Sequence, residues 1–103
     1  MTLSPHRPIV FIVIGLLFLA ISSANAESSS EARDLINTKG CKGCHVIDGS
    51  GGTLGPNLDK VGDRLSREEL RRQLVDPASA MPSFGHLPES ELKLIIDYLE
   101  SLK

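Results

Sequence analysis

Tryptophan is absent from this 103-residue sequence, and tyrosine occurs once, as Tyr98. Two of the three phenylalanines, Phe11 and Phe18, fall in an apolar N-terminal run. From residue 27 onward only Phe84 and Tyr98 supply aromatic bulk. A domain this small is marginal on apolar burial alone and needs a staple such as disulfides, a metal or another large group. Disulfides cannot serve, because Cys41 and Cys44 are the only cysteines and a bridge between them would close a tiny loop. Basic charge is not in excess either. Residues 27–103 hold thirteen acids against ten Lys and Arg, a net charge of −3, which argues against nucleic acid or an anionic membrane surface as partner. No internal repeat is present, and no run alternates strictly enough to predict a strand.

The longest apolar run is short. Residues 9–21 are apolar or Gly, preceded by MTLSPHRP with Arg7 and no acid, and followed by SSANA. This is the three-part layout of a secretory signal peptide, with cleavage expected after Ala26. As a helix the run rises only about 20 Å, against a hydrocarbon core of about 30 Å. An uncleaved anchor, with the domain on the periplasmic side, is the alternative. The expected organisation is a signal peptide over 1–26, a frayed polar leader over 27–31 and one domain over 32–103, located in the periplasm.

Within the domain, Ala32, Leu35 and Ile36 recur at helical spacing and predict a short helix over 31–39, closed by Gly40. The stretch DGSGGTLG (48–55) reads as a loop. LSREEL (65–70) is a strong helix start, with Ser66 as cap, Glu69 three residues on, and Leu65 placed to staple Leu70. That helix is expected over 67–75, stopping at Asp76-Pro77. ASAMPSFGH (78–86) is loop again. The longest helix is expected over 88–102, with Leu92, Ile95, Ile96, Leu99 and Leu102 on one face. The fold class expected is therefore all-α, about three helices and long loops. Such loops do not suit a self-sufficient bundle unless they wrap something.

Both cysteines and a histidine stand together in CKGCH (41–45). A structural zinc site needs about four donors, and the usual second pair of ligands is missing. A dithiol redox motif expects a βαβ setting, and no such strands are predicted. Covalent haem suits the residues best. Two thiols add across two vinyl groups, and the histidine after the second Cys falls beneath the iron; C-x-x-C-H is the signature of c-type haem attachment. Export agrees with this. A second axial ligand is then needed. Met81 is the one methionine after residue 26, and a soft thioether raises the potential. His86 is its rival. A ligating histidine donates its other N–H to a carbonyl, and Pro56 in GPNL (55–58) offers one from a rigid backbone.

Taken together, CKGCH, GPNL, AMPSFG (80–85) and the terminal IIDYLESL (95–102) resemble the small single-haem, class I bacterial c-type cytochromes, over about residues 32–102. The resemblance implies a small cytochrome c-type fold whose loops wrap one haem c. It implies thioethers at Cys41 and Cys44, axial ligation by His45 and Met81, and a Pro56 carbonyl accepting from the His45 ring. It also implies that the first and last helices cross near Tyr98. Ala32 and Ile36 depart from the Gly and aromatic common there. Arg64 follows a segment that approaches the propionates in similar proteins, so it either pairs with one or is a solvated surface residue. Arg67, Arg71 and Arg72 read as a solvated helix face, or else a docking patch for an acidic partner.

The function implied is a periplasmic one-electron carrier, not an enzyme in its own right, whose partners are a redox donor and acceptor. With both axial sites filled, no small-molecule substrate reaches the iron. The alternatives are a haem subunit of a larger respiratory oxidoreductase, and an open-site ligand-binding or peroxidase-like haem protein.

Overall fold

The computed structural model describes residues 24–103. The apolar run over 9–21, and with it most of the expected signal segment, lies outside them. No described helix is long and apolar enough to cross a membrane.

The described residues are mostly helical with little strand. Helix α1 covers 24–38, so the residues expected to form a frayed leader are helical, and the Ala26–Glu27 bond lies within a helix. Ala24, Ala26, Glu27 and Glu31 are good helix formers that carry the pattern upstream of the apolar residues. Ala32 and Ile36 face the core, each 2 % exposed. Gly40 ends the run with φ of 78°, the left-handed conformation that closes many helices. A single 3-10 turn, Cys41–Gly43, follows at once.

Here the structure departs from an all-helical reading. Strands β1 (Val46–Ile47) and β2 (Ser50–Gly51) form an antiparallel hairpin, pairing Val46 with Gly51 and Ile47 with Ser50. Its two-residue turn is Asp48-Gly49, with φ of 54° and 76°. Positive φ at both positions is what a type I′ turn requires, and Asp-Gly favours it. Two-residue strands are too short to show alternation, which is why the sequence pattern gives no strand.

Three helices complete the fold: α2 (Val61–Arg64), α3 (Arg67–Val75) and α4 (Glu89–Ser101). Helix α3 has the bounds its sequence predicts. The Ser66 hydroxyl accepts from Glu69 N at 3.2 Å, and the Glu69 carboxylate accepts from Ser66 N at 2.8 Å. Two otherwise orphan donors are satisfied reciprocally. That backbone contact holds the Glu69 carboxyl below its usual range.

Helix α4 is the central element of the core but is shorter than α1, not the longest as expected. Leu92, Ile95, Ile96, Tyr98 and Leu99 are buried along it. They pack with Ala32, Ile36, Ile47, Val61, Leu70 and Leu74. Burying one such side chain contributes roughly 1.5–3 kcal/mol. Gly62 lets α2 lie on the end of α4. Its N–H donates to Leu102 O at 2.8 Å, and a Cβ there would collide with the Glu100 carbonyl.

Arg67 and Arg71 are not simply solvated. Arg67 Nη1 lies 2.5 Å from Asp97 Oδ1 and 3.0 Å from Glu100 Oε2. Arg71 grips both Glu89 oxygens, at 2.6 and 2.7 Å. These pairs tie α3 to α4. Their acidic partners lie 18 to 33 residues away, beyond any local pattern. Arg72 is exposed.

Candidate functional site

Cys41 opens the 3-10 turn and Cys44 caps it. Both are free thiols; Cys41 is partly buried and Cys44 is exposed. Burial pushes the Cys41 thiol up from its ordinary value. The turn is held from below by the hairpin. Gly52 N donates to Lys42 O at 2.9 Å, and Gly55 N donates to Cys44 O at 2.7 Å. A side chain at Gly52 would run into the Gly43 carbonyl.

His45 is the most tightly placed group. Its Nδ1 lies 2.6 Å from the carbonyl oxygen of Pro56. A carbonyl only accepts, so Nδ1 carries the hydrogen, which leaves Nε2 as the nitrogen that could ligate a metal. Gly55 passes under the ring. A Cβ at that position would lie 2.5 Å from His45 Cε1 and 2.8 Å from Nδ1. The ring is thus fixed in direction by one bond and in height by one missing side chain. Leu54, directly before Gly55, is a large apolar side chain that is 89 % exposed.

Arg64 reaches the same loop. Its Nη2 donates to Asn57 O at 2.6 Å, so Arg64 braces the segment that carries Pro56. The fold therefore brings Cys41, Cys44, His45, Pro56 and Arg64 into one cluster. Met81 lies on the loop between α3 and α4, partly buried against the core. His86 is exposed on that loop, its ring 6.4 Å from that of Phe84.

One cluster was missed from sequence. Tyr98 OH donates to Asp48 Oδ2 at 2.9 Å. Arg33 stands over the Tyr98 ring at 5.7 Å and donates to its oxygen at 3.4 Å. These three residues join α1, the hairpin turn and α4. The Asp-Gly pair was the available signal, since it marks a hairpin that lifts Asp48 towards another element.

The donor set fits a covalently held haem. Two free thiols flank a turn, and an imidazole held through Nδ1 by the Pro56 carbonyl follows directly. Among the described residues no three of His, Cys, Asp and Glu gather as metal donors, which is a poor setting for a four-ligand zinc site. The only described strands form a small antiparallel hairpin, not the βαβ unit of a thioredoxin-like dithiol.

Comparison with known proteins agrees. A c-type cytochrome domain is what the family comparison detects. Residues 30–99 match the family model described as cytochrome c oxidase, cbb3-type, subunit III, and the chain belongs to that family. Two curated relatives are each called cytochrome c oxidase subunit 2. The one from Alkalihalophilus pseudofirmus (strain OF4) is 28 % identical over 88 residues, covering 73 % of this chain and 26 % of the relative. The one from Bacillus sp. (strain PS3) is 32 % identical over 89 residues, covering 68 % and 25 %. The chain thus spans about a quarter of the length of these relatives. No solved structure matches at a significant level. The family implies haem c binding and an electron-transfer role.

Proposed function

We propose that the chain is a mono-haem carrier of single electrons, with haem c attached through Cys41 and Cys44 and ligated by His45 and Met81. The observation that carries this reading is the fixed His45 ring, which leaves Nε2 as a ligand atom one residue beyond two free thiols. Once bound, the haem supplies reversible one-electron uptake and release. The protein's residues do the rest. The Pro56 carbonyl holds the imidazole in one tautomer and makes it a better donor. Met81 offers the soft sulfur that favours the reduced state and keeps small ligands out. The long loops wrap the macrocycle, and Arg64 stands beside Pro56 where one propionate charge would be met. The domain works on the periplasmic side, exported or anchored through its N-terminal segment.

Mass spectrometry of the denatured holoprotein tests attachment. The expected result is a chain heavier by one haem, and the unmodified chain for Cys41→Ala/Cys44→Ala. A colourless protein with two titratable thiols would sink the reading. Potentiometric titration tests the ligands: a positive midpoint supports Met81, and a negative one assigns the site to His86 or leaves it open.

A second reading is favoured by the relatives, whose names are those of oxidase subunits. In it the same domain is the electron-entry subunit of a larger complex. Gel filtration of a native extract separates the two, since a free carrier elutes at its own mass.

A further inference from the structure

Met81 lies in the 76–88 loop, which leaves α3 and returns to α4. Ala78, Ser79, Ala80 and Pro82 around it are exposed. The base of the loop is closed in layers. Phe84 is buried, and its N–H donates to Leu74 O at 2.8 Å. Ser83 Oγ donates to Val75 O at 2.5 Å and accepts from Gly85 N at 3.2 Å. Outermost, both ends of the Arg71 guanidinium meet the Glu89 carboxylate, at 2.6 and 2.7 Å. Arg71 stands one turn before the loop leaves α3, and Glu89 is the first residue of α4. Arg67 already ties the two helices further along, through Asp97 and Glu100. The Arg71–Glu89 pair is therefore not needed to keep α3 beside α4. What it adds is closure across the ends of the Met81 loop.

We propose that Arg71, Glu89 and Ser83 are positioning residues that hold the Met81 loop shut, and so set how readily the Met81 sulfur gives up its place to another ligand. This rests on the reading of Met81 as axial ligand. A thioether is a weak donor, so its retention depends on how much of the time the loop is closed. A competing ligand enters only the open form, so its binding rate follows the open population. Two parallel N–H···O bonds are the geometry in which an exposed Arg–carboxylate pair is most effective.

The test is imidazole binding to the ferric holoprotein, with amide exchange at Phe84 as a readout independent of the iron. Arg71→Ala and Glu89→Ala are each expected to bind imidazole about threefold faster at low salt, with a similar rise in exchange. The double variant is expected to match either single one, because both break the same tie. Ser83→Ala is expected to add its own increase, since it breaks a separate tie. Rates and exchange at wild-type values in all three single variants would overturn the proposal, as would independent, additive effects of Arg71 and Glu89. Met81→Ala sets the open limit. A wild type already at that limit would instead overturn the Met81 assignment itself.

Discussion

The cysteine–histidine segment and the Met81 loop are built in opposite ways. The segment from Cys41 to Leu58 is interlocked with itself. Gly51, Gly52 and Gly55 lie so close to its backbone and to the His45 ring that no Cβ is accommodated at any of them. Leu58 N donates to Val46 O at 2.9 Å, so even the far end of the segment folds back on the hairpin. The 76–88 loop is hydrogen-bonded at its base, and the residues flanking Met81 stand in solvent. The difference assigns distinct physical roles. On the proposed ligation His45 is preorganised and stays, whereas Met81 would be retained by a closure that has its own equilibrium.

The largest effect should come from removing the anchor of the weaker side. Phe84, in the Met81 loop, is only 8 % exposed. Phe84→Ala is expected to cost about 3 kcal/mol of stability, the low end for a buried aromatic. Chemical denaturation of the holoprotein reads that loss. Imidazole entry should accelerate at the same time, while the His45 ring signals in paramagnetic NMR stay in place. Movement of those ring signals would mean that the two sides are one unit.

The next effect tests the stiffer side. Gly55→Ala puts a methyl group 2.5 Å from His45 Cε1. Overpacking of this kind costs about 1–3 kcal/mol, and the ring cannot retreat without losing the Pro56 carbonyl. The expected result is a shifted midpoint potential and displaced His45 ring signals, with the entry rate of imidazole nearly unchanged. A variant with wild-type potential would show that the glycine is a matter of chain fold alone.

Sequence made these two sides legible to different degrees. CKGCH and GPNL mark the stiff side, because each is a short run whose residue types can be read locally. The His45–Pro56 bond follows from the chemistry of an imidazole that needs an acceptor. Helix α3 was readable to the residue, since Ser66 and Glu69 satisfy each other within one turn. What escaped was non-local. The hairpin rests on backbone pairing across two-residue strands, and only Asp48-Gly49 marks it. The Tyr98–Asp48–Arg33 cluster and the Arg71–Glu89 pair join residues far apart in the chain, which no periodicity encodes. The helical reach of α1 over the expected leader was missed for another reason. Residues 24–30 include Ala24, Ala26 and Glu27 but carry no apolar stripe, and helical periodicity depends on that stripe.

The smallest expected effect is one of pH, and it falls on the looser side. Three carboxyls on α3 and α4 are held below their usual range. Glu89 is lowered by hydrogen bonds from Arg71, Glu69 by the Ser66 backbone N–H, and Asp97 first by Lys93 and then by Arg67. A carboxylate with a lowered folded value favours the fold fully above its unfolded value, about 4. That contribution disappears as pH falls through the folded value. All three are solvent-facing, so screening keeps each contribution small. The hairpin side depends mainly on backbone–backbone bonds, although Asp48 and Asp59 each accept one. Acidification below about pH 4 should therefore raise amide exchange over 82–87 before it does so over 46–58. Arg71→Ala should remove the part of that pH dependence that Glu89 carries. Simultaneous loss of protection in both segments would make closure of the Met81 loop no more labile than the hairpin, and the contrast between the two sides would fall.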